Sequence, residues 1–148
     1  MAKRKIPGLA KSKGMQSMFT LFPPGKFAFS IVNYSEKDSK KGTCTIHTLK
    51  LRCDEALEPS GGDMVGKIYF QRLIEMHEDH ESFEEYGYIF VDELKSIIDA
   101  AGLEIKASAF DFTDLEEAAF VATIAQTDGQ DAEGNSRKEN KINKYEAL

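Results

Sequence analysis

The stretch that decides the fold is residues 24–53, PGKFAFSIVNYSEKDSKKGTCTIHTLKLRC. Aromatic and β-branched residues alternate with polar ones over Lys26–Tyr34 and again over Thr43–Arg52, which is the period-two pattern of half-buried strands. The connector Ser35–Gly42 is polar, lysine-rich and closes on a glycine. We therefore predict two long strands joined by a basic turn, a hairpin suited to contact with a flexible anion such as single-stranded nucleic acid.

The elements after the hairpin set the predicted fold class. Met64–Leu73 predicts a third strand, and Val91–Ala101 carries apolar residues at helical spacing, with Gly102 as a C-terminal stop. AAFVATIAQ (118–126) and NKINKY (140–145) predict two more strands. The predicted protein is mainly β, a five-stranded OB-fold-like barrel with one helix between strands 3 and 4.

Smaller features fill the connections between these elements. Residues 58–63 (EPSGGD) and 128–137 predict a turn and a polar loop, and residues 75–85 predict an acidic linker. Thr113–Glu117 resembles a capping box, with Thr113 three residues before Glu116.

The length of 148 residues suits one domain. Residues 1–22 are basic, lack periodicity and contain Pro7, Gly8 and Gly14, so we predict a flexible N-terminal arm followed by a single domain over residues 23–148. No apolar run is long enough to span a membrane, and no apolar segment follows the N-terminal lysines, so a cytoplasmic protein is expected.

Charge is distributed unevenly along the chain, although the net charge is −6. Residues 1–53 hold eleven Lys or Arg against two acidic residues, whereas residues 54–117 hold four against eighteen. For contact with nucleic acid, a local positive field matters more than the net charge of the whole chain. The alternative is that these charges mix in space once the chain folds.

Strand alternation assigns sides to the residues of the sheet. The apolar residues predicted to face the core are Phe27, Phe29, Ile31, Leu49, Leu51, Ile68, Phe70 and Ile142. Cations on the other face and in the turn can neutralise phosphates, and tyrosines can stack on bases. The predicted nucleic-acid-binding residues are Tyr34, Lys37, Lys40, Lys41, Lys50, Arg52, Lys67, Tyr69 and Lys141, with Tyr145 a further outward tyrosine. The alternative is that the tyrosines only cover the sheet and the lysines only solubilise it.

Other chemistries have weaker support. The HEDH sequence at residues 77–80 does not match the HExxH spacing, and the acids of residues 128–137 miss the positions of a calcium loop. Cys44 and Cys53 lie on one predicted strand, about 30 Å apart, which is too far for a disulfide. No partnered nucleophile is present, so we expect no enzymatic activity, no cofactor and no metal.

Four segments of the chain resemble, in their order and spacing, a family of small OB-fold single-stranded-DNA-binding proteins of tailed bacteriophages. They are the hairpin above, LKSIIDAAGL (94–103), AAFVATIAQ and NKINKY. The likeness covers roughly residues 22–145. It implies a replication or recombination accessory in the cytoplasm of a bacterial host that coats exposed single strands. It also implies that Lys37, Lys40 and Lys41 of the turn, with Lys50 and Arg52 beside it, contact the nucleic acid.

The expected function is therefore non-sequence-specific binding of single-stranded DNA. The expected partners are that DNA and, further, replication or recombination proteins or a second copy of the chain. The alternative is a protein–protein interaction module, or a phage structural or regulatory component, that docks through the acidic segment 75–93. RNA is a third option, since nothing in the sequence identifies a contact to a 2′-hydroxyl.

Overall fold

The computed structural model describes residues 3–7, 21–105, 109–130 and 133–148. Five antiparallel strands form one sheet in the order β3-β2-β1-β4-β5. The elements are β1 (Gly25–Asp38), β2 (Cys44–Ala56), β3 (Ile68–Met76), α1 (Phe83–Tyr86), α2 (Tyr88–Ala101), β4 (Ala119–Gln130) and β5 (Ser136–Glu146), with 3-10 helices at Pro59–Met64 and Phe112–Leu115. The prediction of a mainly β chain with one long helix between strands 3 and 4 is confirmed.

The sheet is not closed. Strands β3 and β5 form its two edges, and no backbone ladder joins them in the part of the chain that the structure describes. The OB-fold-like barrel predicted from the element order is therefore not confirmed. The described residues also contain no helix long and apolar enough to cross a membrane.

Several boundaries differ from the predicted ones. Strands β4 and β5 keep pairing as far as Gln130 and Ser136, so much of the predicted loop 128–137 belongs to a long hairpin. Paired backbone groups can continue a strand through polar residues, which apolar periodicity does not reveal. The turn at Phe112–Leu115 is capped by the Asp111 carboxylate, which accepts from the Thr113 backbone N–H at 3.0 Å, so the cap predicted at Thr113 is wrong.

Helix α2 ends where the sequence predicts. Gly102 adopts a left-handed conformation (φ 72°), and its N–H bonds to the Asp99 carbonyl, while the N–H of Leu103 bonds to the Ile98 carbonyl. Such a left-handed position strongly favours glycine. The helix begins at Tyr88, earlier than predicted, and Val91, predicted on its core face, is exposed.

Helix α2 lies against both edges of the sheet and bridges them. A three-residue cluster connects it to them, in which Gln71 Nε2 of β3 and the Tyr145 hydroxyl of β5 both donate to Glu93 Oε1, at 2.5 and 2.8 Å. Gln71 Nε2 also lies 3.1 Å from the Tyr145 hydroxyl oxygen. Side chains therefore join β3 and β5 where the backbone does not.

The core begins before the first strand. Phe22 is fully buried and packs edge-on against Phe27 and Tyr69, with ring centroids 5.3 and 5.9 Å apart. Its N–H donates to Asn140 Oδ1 at 2.7 Å, and its carbonyl accepts from Asn140 Nδ2 at 2.8 Å. The folded unit therefore includes Phe22. Of the predicted flexible arm 1–22, residues 1–2 and 8–20 lie outside the described residues, and 3–7 are exposed.

Replacing Phe22 by Ala should destabilise the protein by about 3–5 kcal/mol, because a fully buried ring is lost from an aromatic cluster. Leu21→Ala is the matched control, since the neighbouring side chain is largely exposed and should change the free energy of unfolding by no more than about 0.5 kcal/mol. Urea denaturation followed by circular dichroism measures both. Equal stabilities of the two variants would show that residue 22 lies outside the folded unit.

Candidate nucleic-acid interface

A β-bulge in β1 turns Tyr34 toward the core. The pairing of β1 with β2 shifts register between Ile31 and Asn33, so Val32 is an extra residue and the alternation of sides changes there. Tyr34 pairs with the fully buried Leu49 and packs against the core cluster. The prediction that Tyr34 faces outward is wrong, because strict alternation was carried across a bulge.

Tyr34 belongs to a stack of rings around a buried histidine. His47 is almost fully buried, and its ring stacks on Phe90 and Phe112 at centroid distances of 5.1 and 4.5 Å. His47 Nδ1 is 2.6 Å from the Tyr34 hydroxyl, and Nε2 is 2.7 Å from Glu75 Oε1. These contacts satisfy both ring nitrogens. His47 was not among the predicted core residues, although its spacing with Leu49 and Leu51 places it on the core face.

Tyr69 is also a core residue. It pairs with Leu51, is only 9% exposed and contacts Phe22 and Phe29. The predicted sides of β3 are therefore wrong, because Tyr69 and Leu73 point inward and Ile68 and Phe70 do not. The strand carries apolar residues on both faces, so its own pattern does not fix its register.

The outer face of β2 and β3 combines cations with apolar rings. Lys50 pairs with Phe70, and Arg52 pairs with Ile68, while Arg72 follows two residues along β3 on the side of Phe70. Arg52 and Arg72 are exposed, and Lys50 and Phe70 are half-buried. We call Lys50, Arg52, Ile68, Phe70 and Arg72 the outer basic face. Phe70 and Arg72 were missed because the sides of β3 had been inverted.

Arg52 differs from Lys50 and Arg72 in having an acidic partner. Arg52 Nε donates to Asp54 Oδ1 at 2.9 Å, and the Ser30 hydroxyl donates to the other oxygen of the same carboxylate. No ion pair involves Lys50 or Arg72 among the described residues. These two cations are therefore the ones best able to neutralise an added anion.

The β1–β2 turn carries further exposed lysines. Lys37 lies near the end of β1 opposite Ile46, and Lys40 and Lys41 lie in the turn itself. Gly42 is left-handed (φ 70°), and its N–H bonds to the Ser39 carbonyl at 2.9 Å, which closes the turn. Six residues of strand, roughly 20 Å, separate Cys44 at this end of β2 from Lys50.

Of the other two predicted cations, Lys67 borders the outer basic face next to Ile68, and Lys141 lies at the far edge of the sheet. Lys67 is exposed in the turn before β3, where its carbonyl accepts from the N–H of Cys53. Lys141 is exposed on β5, paired with Ala125, at the opposite edge of the sheet from β3. The structure therefore groups five of the seven predicted cations, Lys37, Lys40, Lys41, Lys50 and Arg52, on one hairpin.

The tyrosines of the interior are held in their neutral form. Burial and the nearby Glu93 carboxylate raise the pKa of Tyr69 to about 12. Burial, followed by Glu93, also raises the pKa of Tyr145, and burial with Glu36 raises that of Tyr34. These phenols therefore stay neutral in the folded protein at neutral pH, and those of Tyr34 and Tyr145 form hydrogen bonds.

No family model matches the chain, and no curated protein sequence matches it.

The observed sides of β3, with Tyr69 inward and Phe70 outward, can be tested by a pair of neighbouring substitutions. Tyr69→Ala should cost about 3 kcal/mol or more of unfolding free energy because it empties a core position, whereas Phe70→Ala should cost about 1 kcal/mol. Chemical denaturation of both variants decides the order. A larger loss at residue 70 would restore the side assignment made from the sequence.

Stability should fall at high pH because of the buried phenols. An unfolded tyrosine ionises near its ordinary pKa of 10.0, whereas Tyr69 in the folded protein holds its proton until about 12. This contribution is fully present below pH 10 and is lost as the pH rises toward 12. Urea denaturation from neutral pH to pH 11 should show a shallower decline for Tyr69→Phe than for the unaltered protein, with Tyr88→Phe as the exposed control. If the unfolding free energies of Tyr69→Phe and Tyr88→Phe declined in parallel with pH, the raised pKa of Tyr69 would be contradicted.

Proposed function

We propose that this protein binds single-stranded DNA without sequence specificity, as an accessory of phage DNA replication or recombination. The observation that carries the proposal is the outer basic face, where three cations surround the exposed side of Phe70 and Ile68. A positively charged surface that follows the phosphates, combined with rings on which bases stack, is the general design of such sites.

Each part of the face has a separate role in this proposal. Lys50 and Arg72 neutralise phosphates, and Phe70 between them stacks on a base, a contact worth about 1–3 kcal/mol per base. Arg52 exchanges part of its contact with Asp54 for a phosphate. Because stacking does not distinguish bases, binding is expected to tolerate any sequence.

The turn lysines extend the surface. Lys37, Lys40 and Lys41 lie along the same hairpin, so a strand crossing the outer basic face toward the turn meets cations at successive phosphates. Tyr34 and Tyr69 have no part in the proposed contact, because both face the core.

The topology supports an OB-fold-like barrel for this surface. An OB-fold is a partly open five-stranded barrel whose strand 2–3 face and strand 1–2 and 4–5 loops bind oligonucleotides. The order β3-β2-β1-β4-β5 leaves β3 and β5 as the pair that would close such a barrel, and the Gln71–Glu93–Tyr145 cluster joins them. We assign the outer basic face to the strand 2–3 face of such a barrel and the lysine turn to its strand 1–2 loop.

The direct test is fluorescence anisotropy of a labelled oligo-dT titrated with the protein at about 50 mM and about 200 mM salt, with duplex DNA as competitor. We expect preference for the single strand and a logarithmic salt slope of about 0.7 per phosphate contacted. Absence of binding at the lower salt would exclude the proposal.

Charge reversal locates the site. Lys50→Glu with Arg72→Glu should weaken binding by at least about a hundredfold, because two attractive phosphate contacts become repulsive. Lys95→Glu, at an exposed lysine of α2, is the matched control and should leave affinity unchanged.

Lys40→Glu with Lys41→Glu tests the turn, and unaltered unfolding curves exclude a loss of fold. An effect confined to Lys95 would place the site on α2.

A further inference from the structure

Beside the outer basic face, the structure has a second surface of opposite charge. Residues 75–93 contain eight acidic residues and no lysine or arginine. They form the end of β3, α1 and the first turns of α2. This surface repels the phosphates of DNA, so it suits a different partner from the outer basic face.

Exposed apolar side chains are concentrated on the same surface. Tyr86, Tyr88, Ile89 and Val91 lie within six residues of one another, and each is about half exposed or more. Helix α2 needs its other side, with Phe90 and Ile97, for the core. Clustered exposed apolar side chains rimmed by charge are typical of protein interaction sites.

A groove beside these residues provides a place for a ligand. A cavity of about 370 Å³ lies between α2 and β5, lined on the helix by Tyr88, Ile89, Asp92 and Ser96. Glu93 lies in its wall, held by the bonds from Gln71 and Tyr145. Lys144 of β5 also lines it, with its ammonium 3.6 Å from Glu146. Carboxylates beside a tyrosine face suit a lysine or arginine side chain.

The chain itself contains a segment of matching chemistry. Lys3, Arg4 and Lys5 are followed by Ile6 and Pro7, and all five residues are exposed. They therefore do not fill the groove of their own chain in this structure. Three consecutive cations followed by an aliphatic side chain complement carboxylates beside Tyr88 and Ile89.

We propose that the Lys3–Ile6 segment of one copy docks on the acidic, aromatic surface of α1 and α2 of a second copy. The cations lie against Asp92 and Glu85, and Ile6 packs on the exposed apolar side chains. The two surfaces differ, so the contact is head-to-tail and continues from copy to copy. This self-association is independent of the proposed DNA binding and is tested without DNA.

The test is sedimentation of the full chain, freed of nucleic acid, over a range of concentrations. At about 0.01 M ionic strength charges act over about 30 Å and we expect concentration-dependent oligomers, which should dissociate at about 1 M, where the screening length is about 3 Å. If the protein stays monomeric at every concentration at low salt, the proposal is overturned. Docking of the segment within its own chain would give this same monomeric result.

Two charge-reversed variants identify the contact. Lys3→Glu with Lys5→Glu, and Glu85→Lys with Asp92→Lys, should each raise the dissociation constant by at least about tenfold. Mixing the two variants should restore association, because each segment then meets a surface of opposite charge. Glu104→Lys with Asp114→Lys reverses two exposed acids away from the groove and should have no effect.

Association of either variant alone at the unaltered strength, or failure of the mixture to associate, would show that this surface is not the site. Circular dichroism of each variant confirms that the fold is retained. Because no nucleic acid is present, these results do not depend on whether the outer basic face binds DNA.

Discussion

The contact of helix α2 with both edges of the sheet is the interaction on which the rest of the structure depends. β3 and β5 are the two edges of the sheet, and the helix contacts both of them beside the aromatic core. The helix buries Phe90 and Ile97 against that core, and Glu93 receives hydrogen bonds from Gln71 and Tyr145. One carboxylate thus connects the first and last strands of the sheet order. The same helix leaves its other side free for the acidic surface.

The bulge at Val32 and the register of β3 decide which aromatic rings belong to the core and which lie at the surface. It turns Tyr34 inward, where the tyrosine joins His47 and Phe112, and the register of β3 buries Tyr69 beside Phe29. Consequently the tyrosines that looked available for stacking belong to the interior. Phe70 of the edge strand β3, half-buried between cations, is the ring that remains on the outer basic face.

The two proposals follow from one property of the molecule, the uneven distribution of its charges along the chain. The basic first part of the chain forms the long hairpin, and the acidic middle part forms the end of β3, α1 and the start of α2. The two parts meet at the lysine turn, where Thr45 pairs with Glu75 and the His77 N–H bonds to the Thr43 carbonyl. Local fields of opposite sign then exist on one small protein of net charge −6. One suits a polyanion and the other a basic segment.

The sequence by itself determined the elements: the hairpin, the strand order along the chain, the helix ending at Gly102 and the inward side of Leu49 and Leu51. These follow from local periodicity and from the conformational freedom of glycine. Only the tertiary structure decided the sides of Tyr34 and Tyr69, because a bulge and a cross-strand register depend on the neighbouring strand. It also decided that Phe22 and His47 belong to the core, since burial depends on contacts that are distant in sequence, such as those of Phe22 with Asn140.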